Sequence, residues 1–157
     1  MRAVMCCGLV VIVAEPLAIP LLRRLAAIDT PGFRSSHTIP TPRGGGMPIA
    51  VGLLVAVALI RGAATVPFGA AVGFFGALGF VDDLRCLTAS RRLVLQCAGS
   101  AGIAALLVSP LHLPATLVVA LTLVAAAWLI AFVNAFNFMD GVNGISGAHA
   151  VIAGVAY

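Results

Sequence analysis

Residues 66–81 carry no charged side chain and no side-chain hydrogen-bonding group, and the run ends on two adjacent carboxylates, Asp82 and Asp83. Residues 117–136 read in nearly the same way and lead into Asn137 and Asp140. Runs of this kind suit a bilayer, because about 20 apolar residues in helix match the ~30 Å hydrocarbon layer. Composition supports that choice. The chain is 62% hydrophobic and only 9% charged, with a mean hydropathy of +1.16, so it has too little polar surface to clothe a soluble domain. The expected fold is all-α, a polytopic integral membrane helical bundle. Helices are the default because lipid offers no water to unpaired backbone groups. A β-barrel would alternate with period two, and Leu117-Val-Val-Ala-Leu-Thr-Leu-Val does not.

The pattern predicts spans at about 4–22, 47–60, 64–81, 93–109 and 115–136, with a sixth beginning near 145. That is five complete spans plus the start of a sixth, in one domain covering 1–157. The second is short and must tilt little or borrow its flanks. Residues 1–19 could pass for a signal peptide, but Glu15 interrupts them, no small-residue cleavage site follows, and the apolar run continues to Leu22. They read as a retained first helix.

All nine basic residues are Arg, and the net charge is +4. By the parity of the crossings, Arg23, Arg24, Arg34, Arg43, Arg85, Arg91 and Arg92 share one side and only Arg2 and Arg61 lie on the other. The positive-inside rule makes the first side cytoplasmic and the N-terminus external. Basic residues at membrane edges call for no nucleic-acid partner. There is no Walker motif, no GxGxxG fingerprint and no nucleophile elbow. Cys6, Cys7, Cys86 and Cys97 lack metal-ligand spacing. Glu15 lies near mid-span beside Pro16. Such a group must be neutral, paired or turned to the bundle interior, and it reads as an interior-facing Glu rather than a proton-handling one.

Three polar patches fall on the cytoplasmic side. In the first, Asp82 and Asp83 precede Arg85, Arg91 and Arg92. Adjacent carboxylates repel, and an apolar wall makes their ionised forms costly. A hard divalent cation relieves both problems, and Mg²⁺ commonly takes one or two carboxylates plus substrate phosphates. Neighbours on a helix point about 100° apart, so one Asp ligates directly and the other acts through water or as a base. The bland alternative is a solvated helix end whose Asp and Arg merely pair. In the second, Asn137, Asp140 and Gly144 follow an i, i+3, i+7 spacing, which puts Asn137 and Asp140 on one helical face. Amide and carboxylate suit sugar hydroxyls, a base edge or a metal's water shell. The alternative is a polar turn in which Asp140 caps the next helix. The third, from Asp29 to Gly46, holds Arg34, His37, Arg43 and three consecutive glycines. His37 with Arg34 and Arg43 could hold an anion, and the glycines could turn backbone N–H groups toward a phosphate; a plain surface loop reads equally well.

The order and wording of the three patches resemble the polyprenyl-phosphate N-acetylhexosamine-1-phosphate transferases, the membrane enzymes that start peptidoglycan lipid, O-antigen and teichoic-acid linkage synthesis. The resemblance rests on the loop from His37 through Pro40-Thr-Pro-Arg-Gly to Gly46, on Gly79-Phe-Val-Asp-Asp83 with Gln96 downstream, and on Asn134-Ala-Phe-Asn-Phe-Met-Asp-Gly-Val-Asn-Gly144. It implies a Mg²⁺-dependent reaction, with Mn²⁺ as the substitute ion, in which polyprenyl phosphate attacks the sugar-bearing phosphorus of a UDP-N-acetylhexosamine and releases UMP. It implies Asp82 and Asp83 as catalytic residues and, with Asp140, as the metal site. The implied substrate contacts are Asn137, Asp140, Asn143, His37, Arg43, Arg91 and Arg92. The location implied is a bacterial inner membrane, with a homodimer as an allowed assembly.

Phe138-Met-Asp-Gly, where the muramoyl-pentapeptide enzymes read Leu-Thr-Asp-Gly, leans toward the UDP-GlcNAc group. Asn143 stands where the family often has Asp. Family members also carry a later Gly-Asp-x-Gly-Ser segment and a His-rich loop, so the expectation is a domain truncated at its C-terminus and inactive alone. Two other classes stay open: a transporter or channel piece, whose site would sit near mid-membrane, and a non-catalytic membrane remnant.

Overall fold

The structure is a computed structural model that describes residues 2–25, 28–29, 41–42, 44–60, 62, 64–139, 148–149 and 151–152. Five helices dominate: α1 (Arg2–Arg24), α2 (Gly46–Leu59), α3 (Thr65–Arg85), α4 (Ala89–Val108) and α5 (Ala115–Met139). A two-residue antiparallel pairing joins Ile28–Asp29 to Thr41–Pro42. The chain is the all-α bundle expected from its apolar runs.

Four of the helices are long and apolar enough to cross a membrane, and α2 is not. At 1.5 Å per residue its 14 residues reach only about 21 Å. The second expected segment is thus present and short, as its apolar run indicated, and relies on its flanks or a small tilt. The Gly-rich start of that helix lies between α1 and α3, with Gly44 against Leu22 and Phe80 and Gly45 beside Glu15. The third and fifth helices run past the expected ends at 81 and 136, because Asp82, Asp83 and Asn137 continue the helical turn. Of the sixth segment, residues 148–149 and 151–152 are helical. His149 packs edge-on against Phe136 of α5, ring centroids 4.9 Å apart.

The helices pack in chain order: α1 on α2, α2 on α3, α3 on α4 and α4 on α5, with no other substantial helix pair among the described residues. The interior is thin. It is made mostly of small groups such as Pro48, Ala56, Ala104 and Ala126, together with Ile103 and Val108. Large apolar side chains, including Ile12, Leu17, Phe68, Val94 and Trp128, point outward. In water that surface would aggregate; in lipid it is the natural face of a span. With no solvent to drive helices together, close approach is gained through small residues. Gly52 of α2 is the clearest case: a Cβ there would sit 2.7 Å from Val11 Cγ2 and 3.0 Å from the Cys7 carbonyl oxygen of α1.

The α3–α4 turn is short and well specified. Cys86 takes a left-handed φ of 48° and donates its N–H to the Asp82 carbonyl at 2.8 Å, an αL stop to the helix. Thr88 then caps α4, its hydroxyl accepting from the Arg91 N–H at 3.4 Å.

Candidate active site

Asp82 and Asp83 occupy the last turn of α3, and helix geometry sends their side chains in different directions. Asp82 turns toward α4 and α5. It lines a cavity of about 80 Å³ with Phe75, Arg92, Gln96 and Asn137. Asp83 turns toward the start of α2, lining a cavity of about 200 Å³ with Gly44, Gly46, Met47 and Phe80. The described parts of all three polar patches thus meet at one end of the bundle.

The Asp82 carboxylate is held from two sides. Oδ1 accepts the Leu87 N–H at 2.9 Å, and Oδ2 pairs with Arg92 Nη1 at 3.2 Å. The two side chains are 22% and 30% exposed, so the pair is partly screened and worth on the order of 1 kcal/mol. Its larger consequence is positional. The bridge ties the end of α3 to the first turns of α4, and Arg92 keeps further N–H donors beyond the one that Asp82 uses.

Gln96 lies one turn beyond Arg92 on α4 and is 3% exposed. Its Oε1 accepts from Asn134 Nδ2 of α5 at 2.8 Å. The same Asn134 amide donates to the Ile130 carbonyl at 2.8 Å. One turn deeper, Ser100 Oγ is fully buried and has no hydrogen-bond partner among the described residues. Arg92, Gln96 and Ser100, at i, i+4 and i+8, make a polar stripe running from the site into the apolar layer.

At the other cavity, Gly44 adopts φ +93°, and a Cβ there would meet Leu22 Cδ2 at 2.9 Å. The positive φ is what calls for glycine here; the Leu22 methyl, at the end of a flexible side chain, can give way. The N-terminus of α2 has no side-chain cap and no acidic residue in its first turn. Glu15 of α1 lies beside it, with Oε1 3.7 Å from where a Gly45 side chain would begin. Glu15 is thus turned toward α2, in keeping with its interior-facing reading.

Of the substrate-binding residues expected from sequence, Arg92 and Asn137 share the Asp82 cavity. Arg91 is exposed on another side of α4, beside Leu87, Ser90 and Val94. His37, Arg43, Asp140 and Asn143 lie outside the described residues. Asn134, and Gln96 as a polar group of the cavity, were missed as site residues. The available signal was an uncharged polar residue inside each of two apolar helices.

Among the described residues, no three His, Cys, Asp or Glu side chains gather into a metal cage. Asp82 and Asp83 open on separate cavities, so each by itself presents one hard carboxylate of the kind that serves Mg²⁺ when water and substrate phosphate complete its shell.

No curated protein and no solved structure matches the chain. Residues 65–157 match the family model of glycosyl transferase family 4. The matched stretch opens on the first residue of α3 and takes in Asp82, Asp83, Arg92, Gln96, Asn134 and Asn137, while the Gly44–Gly46 segment precedes it. Since that match spans more than half of the sequence and holds every polar residue around the smaller cavity, the chain belongs to glycosyl transferase family 4, whose members transfer a sugar phosphate to polyprenyl phosphate in a membrane.

Proposed function

We propose that the protein transfers N-acetylhexosamine-1-phosphate from a UDP-sugar, UDP-GlcNAc by the Phe138-Met139 wording, to undecaprenyl or a similar polyprenyl phosphate, releasing UMP. The observation that carries this reading is the convergence of Asp82, Arg92 and Asn137 on one cavity at one end of the bundle, within the family-matched region. That end is the cytoplasmic face of a bacterial inner membrane, with the N-terminus outside; the Arg bias supports this orientation. A site in the last turn of α3, not at mid-membrane, favours transfer over transport.

An oxygen of the polyprenyl phosphate forms a bond to the sugar-bearing phosphorus. The bond from that phosphorus to the bridging oxygen breaks, and the bridging oxygen leaves with UMP. Asp83, Asp82 and Asp140 are the groups that would hold Mg²⁺ or Mn²⁺, which when bound neutralises charge on the diphosphate. Asp82, tied to the Leu87 N–H and to Arg92, keeps a fixed position while the substrates come and go. Arg92 holds Asp82 through one N–H and offers the others to a phosphate oxygen, a planar fork suited to that anion. Asn137 is an amide for the nucleotide-sugar, and Asp140, Asn143, His37, Arg43 and Arg91 join it as substrate contacts. The outward apolar faces of α3 and α5 let a prenyl chain reach the site from within the bilayer. Holding both phosphates and the nucleophile in one geometry supplies much of the rate gain.

The test is UMP release from UDP-GlcNAc and undecaprenyl phosphate by membranes carrying the protein. Asp82→Asn and Asp83→Asn should each reduce turnover by roughly 100-fold or more, as expected for removing a charged group that stabilises the transition state. The level of inserted protein should hold. Near-normal turnover in both variants would return the pair to an ordinary helix end.

A further inference from the structure

The hydrogen bond between Asn134 and Gln96 specifies more than the packing of α4 on α5. A side-chain amide can usually be turned over, exchanging its oxygen and nitrogen. Asn134 cannot, because the atom that faces Gln96 also lies 2.8 Å from the Ile130 carbonyl oxygen. A carbonyl only accepts, so that atom must be the donating Nδ2. Both of its hydrogens are then committed, one to Ile130 O and one to Gln96. Gln96 must therefore meet Asn134 with Oε1, and what it has left to present is its NH₂ group with two donors. Gln96 is 3% exposed and lines the cavity that it shares with Asp82, Arg92 and Asn137. A buried amide that could take two orientations is held in one by a residue 38 positions away.

We infer that Gln96 is a substrate-contacting donor that grips a phosphate oxygen beside Arg92, and that Asn134 is the positioning residue that keeps its NH₂ turned to the cavity. This rests on the proposed transferase reading and adds two residues to it. The chemistry follows from the surroundings. A phosphoryl group has only acceptor oxygens, Arg92 supplies cationic donors, and a cavity of about 80 Å³ has room for one such group. A neutral donor next to Arg92 adds hold on the anion without repelling an ion bound at Asp82 and Asp83. Two substrates could bring the phosphate, the prenyl phosphate or the diphosphate of the nucleotide-sugar, and the experiment separates them.

Gln96→Glu keeps size and still accepts from Asn134, but puts a carboxylate where the donor was. Gln96→Met keeps length and removes the donor. Each variant, with Asn134→Leu and the Asn134→Leu/Gln96→Met double variant, is compared with wild type in nanodiscs. Steady-state transfer is measured with each substrate varied in turn, alongside equilibrium binding of UMP and of decaprenyl phosphate. Losing a hydrogen bond to a charged group corresponds to roughly a tenfold effect or more. The expected result is a rise of that size in KM, and a matching loss of binding, for one of the two phosphate carriers only, more marked for Gln96→Glu than for Gln96→Met. The double variant should be no worse than Gln96→Met alone. A merely structural Gln96 would lower the active fraction and leave both KM values and both affinities unchanged; that outcome overturns the inference while leaving the transferase reading intact. Wild type that neither transfers nor binds either probe overturns both.

Discussion

Two glycines on the same helix pair should respond to alanine in opposite directions. Gly52 of α2 faces α1 at close range: a methyl there would lie 2.7 Å from Val11 Cγ2 and 3.0 Å from the Cys7 carbonyl oxygen. Carbon atoms prefer about 3.5–4.0 Å, so the overlap with Val11 is roughly 0.8 Å or more. Val11 can rotate away, but the Cys7 carbonyl belongs to the helix backbone and can withdraw only if α1 moves off α2. Overpacking of this kind costs about 1–3 kcal/mol. Replacing Gly by Ala inside a helix returns up to about 1 kcal/mol, which leaves Gly52→Ala about 0–2 kcal/mol less stable than wild type. Gly8 of α1 has nothing within 4 Å of its would-be Cβ, so Gly8→Ala shows the propensity gain alone. The difference between the two variants, about 1–3 kcal/mol, is then the packing term by itself. Unfolding in mixed micelles by rising SDS mole fraction, followed by far-UV circular dichroism, measures it. Adding Val11→Ala to Gly52→Ala should recover part of the loss, since the side-chain clash goes and the carbonyl clash remains. Equal stability of Gly8→Ala and Gly52→Ala would refute the close α1–α2 approach.

Two further outcomes test other parts of the structure. Ser100→Ala should be neutral or stabilise by up to about 1 kcal/mol, because it removes a buried hydroxyl with no partner among the described residues; a clear loss in the same unfolding assay would reveal an acceptor for that hydroxyl. A cysteine at the exposed Ser90, in a background with the four native cysteines replaced, should react with a membrane-impermeant maleimide only after the cytoplasmic face is opened. Labelling from outside intact cells would invert the orientation and remove the site from the cytoplasm.

Much of this protein was legible before any contact was known. Helix class and positions follow from long uncharged runs, because the bilayer acts on each segment almost independently of the others. The meeting of polar patches at one end follows from counting crossings, and the family wording is local: Gly79 to Asp83 and Asn134 to Gly144 are contiguous strings. The short reach of α2 was legible as well, since its apolar run is shorter than the roughly 20 residues that match the hydrocarbon layer.

What the tertiary structure alone decided is the rotation of each helix about its axis. In water a helix shows its buried face as an apolar stripe. In a membrane the lipid-facing and protein-facing sides are equally apolar, so nothing in the sequence distinguishes Gly8, in open space, from Gly52, pressed against α1. For the same reason the spacing of Asp82 and Asp83 announced that they diverge but not what each one meets. Packing set Asp82 against Arg92 and Asn137, and Asp83 against Gly44 and Gly46. Gln96 and Asn134 are each a lone polar residue in an apolar helix when read alone. They become a donor with one orientation only when α4 and α5 pack and the Ile130 carbonyl fixes which atom of Asn134 is nitrogen.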